Sequence, residues 1–131
     1  MKKYLLLLIL TVATTVLYGQ TTYYTTRVST AILNKKTNTW KWSPKKEVEI
    51  KITIADDDIY FDNEAQTHVH LTSDMATLTI KGGTQYKWFG IDEEKIRCSF
   101  SIVSWDDGSP VQYYLSYADI KACYTMAPPI E

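Results

Sequence analysis

Past residue 17 the chain has no long hydrophobic run, and it is poor in cysteine (two), proline (four) and glycine (five). Each shortage excludes something. Without a second apolar run approaching about 20 residues, the body of the chain offers no membrane-spanning helix. There is no glycine-rich phosphate loop, no G-x-S-x-G and no H-E-x-x-H, so the common nucleotide, serine-hydrolase and zinc-protease signatures are missing. The two histidines lie two positions apart, so any Ser/His/Asp arrangement must use one of them. Helical apolar spacing is absent as well, which argues against a helical fold. No cysteine lies near residue 19, which rules out a lipid carried on a new N-terminal cysteine. Charge of one sign is also lacking, with 14 basic and 15 acidic residues. So balanced a chain implies no polyanion partner by charge alone.

The one long apolar stretch is at the start. Lys2 and Lys3 precede Leu5 to Leu10, and a weaker apolar continuation reaches Leu17. Gly19, with Leu17 two positions before it, fits a cleavage site; a cut after Ala13 is the alternative. The expectation is a secretory signal peptide over residues 1–19, removed on export, and a secreted or periplasmic product. Taking 19 residues from 131 leaves 112, enough for one domain over residues 20–126 with a loose tail at 127–131. Losing Lys2 and Lys3 leaves 12 basic residues against 15 acidic, a net charge of −3.

What the chain has in quantity is period-two alternation, the mark of strands with one face buried. Glu47 to Ile54 is the cleanest case, with Val48, Ile50, Ile52 and Ile54 on one face. Tyr24, Val28 and Ile32 share a parity in the first strand, and Trp40 and Trp42 share one before Pro44 ends their strand. Further short strands follow at 59–62, 67–72, 76–80, 86–91, 96–102, 111–117 and 120–126. The pattern predicts an all-β antiparallel meander of about ten short strands, an up-and-down barrel in preference to a two-sheet sandwich. The first mature strand lacks the Gly-x-Trp start typical of lipocalins, so likeness to ligand-binding barrels rests on architecture alone.

Parity sets two registers. In the hairpin from Ile96 to Tyr117, Ile102 should face Tyr113, Phe100 should face Leu115 and Cys98 should face Tyr117, leaving Trp105 in the loop. Export invites a Cys98–Cys123 disulfide, which closing 26 residues would make worth about 3.5 kcal/mol. Parity opposes it, because Cys98 points inward and Cys123 outward. In the hairpin around 63–66, pairing Phe61 with Val69 and Ile59 with Leu71 places Asp62 opposite His68. His68, His70 and Asp62 then form a candidate metal site on the outer face, the alternative being a solvated strand face.

Other constellations are weaker. Asp56, Asp57 and Asp58 form an acidic turn of the kind calcium favours, but EF-hand spacing is absent. Arg27 to Lys51 carries seven basic residues against two acidic, with Trp40 and Trp42 interleaved. For an exported protein an acidic polysaccharide or a membrane surface suits that segment better than nucleic acid. After residue 19 there remain eight tyrosines, four tryptophans and three phenylalanines. They either fill the core or line a ligand pocket; Tyr24, Trp40, Trp42, Tyr86, Trp88, Phe100, Tyr113 and Tyr117 point inward by parity. The expectation is an exported non-enzymatic binding module that holds an apolar or sugar ligand, with Trp40, Trp42, Tyr86 and Trp88 as contacts. The alternatives are a protein-interaction or inhibitor domain without ligand, and a metal-binding protein using His68 and His70. No cofactor, no nucleic-acid partner and no integral membrane segment after signal removal are expected.

Overall fold

A computed structural model describes residues 15–17 and 20–126. Most of the expected signal peptide and the expected tail at 127–131 lie outside the described residues. Eleven strands and no helix make up the described chain: β1 (Thr15–Leu17), β2 (Gln20–Asn34), β3 (Thr39–Trp42), β4 (Lys46–Ala55), β5 (Asp58–Phe61), β6 (His68–Leu71), β7 (Ala76–Ile80), β8 (Gly83–Asp92), β9 (Arg97–Trp105), β10 (Gln112–Ser116) and β11 (Ile120–Met126). Strand β1 falls inside the stretch expected to be cleaved and pairs with Gln20–Thr22 of β2. No helix of the described residues is long and apolar enough to cross a membrane.

Every pairing is antiparallel, and the order β2-β11-β10-β9-β8-β6-β5-β4 closes on itself through β2–β4. The result is an eight-stranded up-and-down barrel, as the alternation predicts. Two long strands carry the extra pieces. β2 pairs with β4 through residues 20–28 and with β3 through residues 31–34. β8 pairs with β7 over Gly83–Lys87 and with β6 over Gly90–Asp92. The second junction needs a glycine. A Cβ on Gly90 would lie 2.7 Å from the His70 carbonyl oxygen and 2.8 Å from Val69 Cγ1, so only hydrogen lets β6 close on β8.

The turns follow local chemistry. Asn34 Oδ1 accepts the amides of Lys36 and Thr37, and Asn38 takes a positive φ, which closes the β2–β3 turn. Lys81 and Gly82 make a two-residue turn, with Gly82 at φ 83°. Asp92 Oδ1 accepts the amides of Glu94 and Ile96, and its Oδ2 accepts the Tyr117 hydroxyl at 2.8 Å.

The interior is built from Ile50, Ile52 and Ile54 of β4, Ile59 and Phe61 of β5, Val69 and Leu71 of β6, and the rings of several strands. Those rings touch across the barrel. Trp88, Phe100, Tyr113 and Tyr23 form a chain with centroids 6.0, 6.4 and 5.1 Å apart, and Phe61 joins Phe100 (6.0 Å) to Tyr124 (5.3 Å). Each buried ring or aliphatic side chain stabilises by about 1.5–3 kcal/mol relative to exposure.

Several sequence expectations are corrected here. Tyr24 points outward and is 46% exposed, while Tyr23, Thr21 and Thr25 point in. A bulge between Thr25 and Arg27 then switches the parity, so Val28 packs on the core from a strand that began with odd residues inward. Val48 is exposed at the barrel end although its parity partners Ile50, Ile52 and Ile54 are buried. Trp105 is the last residue of β9, not a loop residue; it pairs with Gly83 and donates from Nε1 to Gln112 Oε1 at 3.1 Å. The β9–β10 register holds as read: Ile102 faces Tyr113 and Phe100 faces Leu115. Cys98 and Cys123 are both buried and both free. They sit on β9 and β11 with β10 between, on opposite faces of the sheet, so the expected disulfide does not form.

Candidate functional site

The four expected ligand contacts do not converge. Trp88 and Tyr86 sit on the inner side of β8, Trp88 within the core and Tyr86 packed against it. Trp40 and Trp42 sit on β3, opposite Leu33 and Ala31, outside the closed barrel. With rings in mutual contact across the interior, the barrel wall, not its lumen, holds the open aromatic site.

That site is a groove of about 320 Å³ on the outer face of β8–β11. The strand registers explain its shape. One rung runs Trp42, Ala31, Lys121, Ser116, Ser99, Phe89. The next runs Ser29, Cys123, Tyr114, Ser101, Lys87. Ser99, Ser101 and Ser116 are short, so they form a floor where an outer sheet face would ordinarily carry long polar side chains. Ser99 and Ser101 are buried despite facing out. Walls rise on either side: Trp42 and Tyr114 meet edge to face at 6.3 Å, and Trp105 closes one end beside Ile80.

Trp42 reaches the groove because β3 is pinned to β2. Ser43 donates its amide to the Thr30 carbonyl at 2.7 Å, Ser29 Oγ donates to the Ser43 carbonyl at 2.6 Å, and Ser43 Oγ accepts the Thr30 amide at 3.0 Å. Ala31 beneath the indole is fully buried and small enough to let it lie down. The polar rim is arranged as well. Gln85 Nε2 donates to Ser101 Oγ at 3.0 Å, and the Tyr114 hydroxyl and Trp105 Nε1 both donate to Gln112 Oε1. Burial pushes the Tyr114 phenol far above its ordinary value, so it stays a neutral donor.

The histidine face is organised differently from its expectation. The β5–β6 register sets Asp58 against His70 and Tyr60 against His68, two residues away from the pairing that parity suggested. Asp62 is therefore not opposite His68; it accepts a hydrogen bond from Gln66 Nε2. The carboxylate between the histidines is Asp58, whose Oδ1 lies 2.9 Å from His68 Nε2 and 3.1 Å from His70 Nδ1. Hydrogen bonding from His68 foremost, with that from His70, holds the Asp58 carboxyl below its usual range. Glu93 Oε1 stands 3.3 Å from His68 Nδ1, and Tyr60 stacks on the imidazole at 4.4 Å. Both ring nitrogens of His68 thus face carboxylate oxygens. Among the described residues no group of three or more His, Cys, Asp or Glu is arranged to hold a metal ion. That covers the acidic turn at Asp56–Asp58 as well.

A larger open depression of about 630 Å³ lies at the barrel end, between the loops that carry Asp92, Glu93, Glu94 and Asp119. Asp92 and His68 there serve the fold. Asp92 is occupied by two turn amides and Tyr117, and His68 by Asp58 and Glu93. The smaller groove is the better candidate because its polar atoms line a floor between aromatic walls.

No family model, no curated protein and no solved structure matches this chain. The site is therefore read from its own chemistry. Sequence reasoning picked Trp42 and put Trp105 in a loop as an exposed contact, but missed Tyr114 and the serine floor. The available signal was the run of small odd residues on β9, Ser99 and Ser101, opposite Ser116 and Tyr114 on β10.

Proposed function

We propose that the chain is an exported, non-enzymatic binding module whose outer groove holds a short saccharide. The observation that carries this reading is the hydroxyl floor of Ser99, Ser101 and Ser116 between the walls of Trp42, Tyr114 and Trp105. A sugar ring presents C–H faces that stack on aromatic rings and hydroxyls that exchange hydrogen bonds with short polar side chains. An apolar ligand held inside the barrel has less support, since the interior rings already contact one another. Export is read from the apolar N-terminal stretch after Lys2 and Lys3.

Calorimetric titration of residues 20–131 against a panel of neutral and acidic oligosaccharides tests the reading. Saturable binding is expected, weakened about ten-fold by Trp42→Ala or Tyr114→Ala through loss of the stacking wall. Tyr24→Ala, on the outer face of β2 away from the groove, should leave binding unchanged. No saturable binding to any member, or binding indifferent to Trp42→Ala and Tyr114→Ala together, would overturn it.

A further inference from the structure

We propose that the groove selects acidic saccharides, with Lys87 and Lys121 recognising the acid group. This rests on the reading of the groove as a saccharide site and names the ligand's charge. Eleven residues line the groove; two are lysines and none is Asp or Glu. The lysines stand at opposite margins of the serine floor, Lys87 beside Ser101 and Lys121 beside Ser116. Among the described residues, rings and not carboxylates flank their ammonium groups. Lys121 Nζ sits 4.0 Å above the Trp40 ring and Lys87 Nζ 5.1 Å above Phe89. An aromatic face attracts a cation without cancelling its charge. The two ammonium groups are thus held in place and remain available to an anion. Whole-molecule charge is slightly negative, so this positive groove is a local feature and not a general basic surface.

A saccharide fits better than an acidic peptide. An extended peptide gains most from adding to an open sheet edge. The groove lies on the face of β8–β11, where the ladder partners on both sides already take up the backbone groups. What that face offers is hydroxyls, an amide, rings and cations. Carboxylated and sulfated sugars share the needed chemistry: an apolar ring face, hydroxyl edges and an anionic substituent.

The test compares matched ligands by calorimetry: tetragalacturonic acid with its methyl ester, a sulfated carrageenan tetrasaccharide with its desulfated form, and hexaglutamate. At least one acid should bind about ten-fold tighter than its neutral counterpart, the carboxylate and sulfate arms showing which acid is taken. That preference should fall as salt rises, since the charges are solvent-accessible. The double variant Lys87→Gln/Lys121→Gln should erase the preference while still binding the neutral ligand and melting cooperatively. Lys36→Gln, in the β2–β3 turn, should change nothing. Equal affinity for acid and neutral forms, both sensitive to Trp42→Ala, would overturn charge selection and leave the saccharide reading standing. A preference that survives the double lysine variant would also overturn it, as would hexaglutamate binding as tightly as the acidic sugar. Absence of binding to every ligand would overturn both readings.

Discussion

Cys98 and Cys123 illustrate how a side chain's face decides its chemistry. An oxidising compartment would favour a bond between them, and their positions forbid it: Cys98 points into the core from β9, Cys123 points outward from β11. Burial, helped by the nearby Asp92 charge, pushes the Cys98 thiol up to about 11, and burial also raises Cys123. Since the thiolate is the reactive form, both should be inert in the native protein. A chromogenic thiol reagent should report no fast-reacting group before denaturation and two afterwards; a count of zero in denaturant would mean the pair is bonded after all. Tyr113 makes a second point. Its ring is fully buried against Tyr23 and Phe100, yet its hydroxyl, like those of Tyr23 and Thr21, finds no hydrogen-bond partner among the described residues. A buried hydroxyl without a partner costs free energy that its ring does not. Tyr113→Phe should therefore raise the unfolding free energy in urea by about 1 kcal/mol. A clear loss of stability would show that the hydroxyl is satisfied.

Among the elements, the hairpins separate what alternation reveals from what it conceals. The β9–β10 register was legible because Ile102, Phe100, Tyr113 and Leu115 leave one pairing that fits the short loop. The β5–β6 register was not. Shifting it by two keeps Ile59, Phe61, Val69 and Leu71 inward, so parity cannot distinguish the alternatives. The turn decides instead. Asn63 Oδ1 accepts the Thr67 amide at 3.0 Å and Phe61 N donates to the Thr67 carbonyl at 2.8 Å, which sets Ile59 against Val69 and brings Asp58 between the histidines. The bulge in β2 was equally hidden, because one extra residue leaves no compositional mark, and it put Tyr24 and Val28, expected on one face, on opposite faces. The Asp58 pair gives the hairpin a pH signature. Its folded carboxyl lies below the ordinary value, so the charged form stabilises the fold. That contribution is complete above the unfolded value of about 4 and is lost as pH falls through the lower folded value. The stability gap between wild type and Asp58→Asn should therefore be present at about pH 5 and close by about pH 2, and it should be small because the pair is partly solvated. A gap that persisted unchanged to acid pH would place the effect of the substitution elsewhere.

For the whole molecule, closure is the feature on which both the core and the groove depend. β2 joins the first part of the meander to the last, pairing with β4 on one side and β11 on the other. The sequence showed that the strands were short, consecutive and free of helices, which is enough to predict a meander that curls. It could not show the groove, because Trp42 meets Tyr114 only once β3 has folded along β2, a contact between distant parts of the chain. The seam formed by β11 then matters twice. Inward, Tyr124 packs on Phe61; outward, Lys121 borders the serine floor and Cys123 pairs with Tyr114. A chain ended after Asp119 would lose β11 and expose β2 and β10 as unpaired edges, each a template for intermolecular pairing. It would also lose the core contribution of Tyr124, about 1.5–3 kcal/mol for one buried side chain, against a total stability for a domain this size of about 5–15 kcal/mol. The shortened chain should show no cooperative thermal transition by circular dichroism and should elute as aggregate in size-exclusion chromatography. A monomer that melts cooperatively would mean that the open sheet is stable alone, and that closure serves the groove rather than the fold.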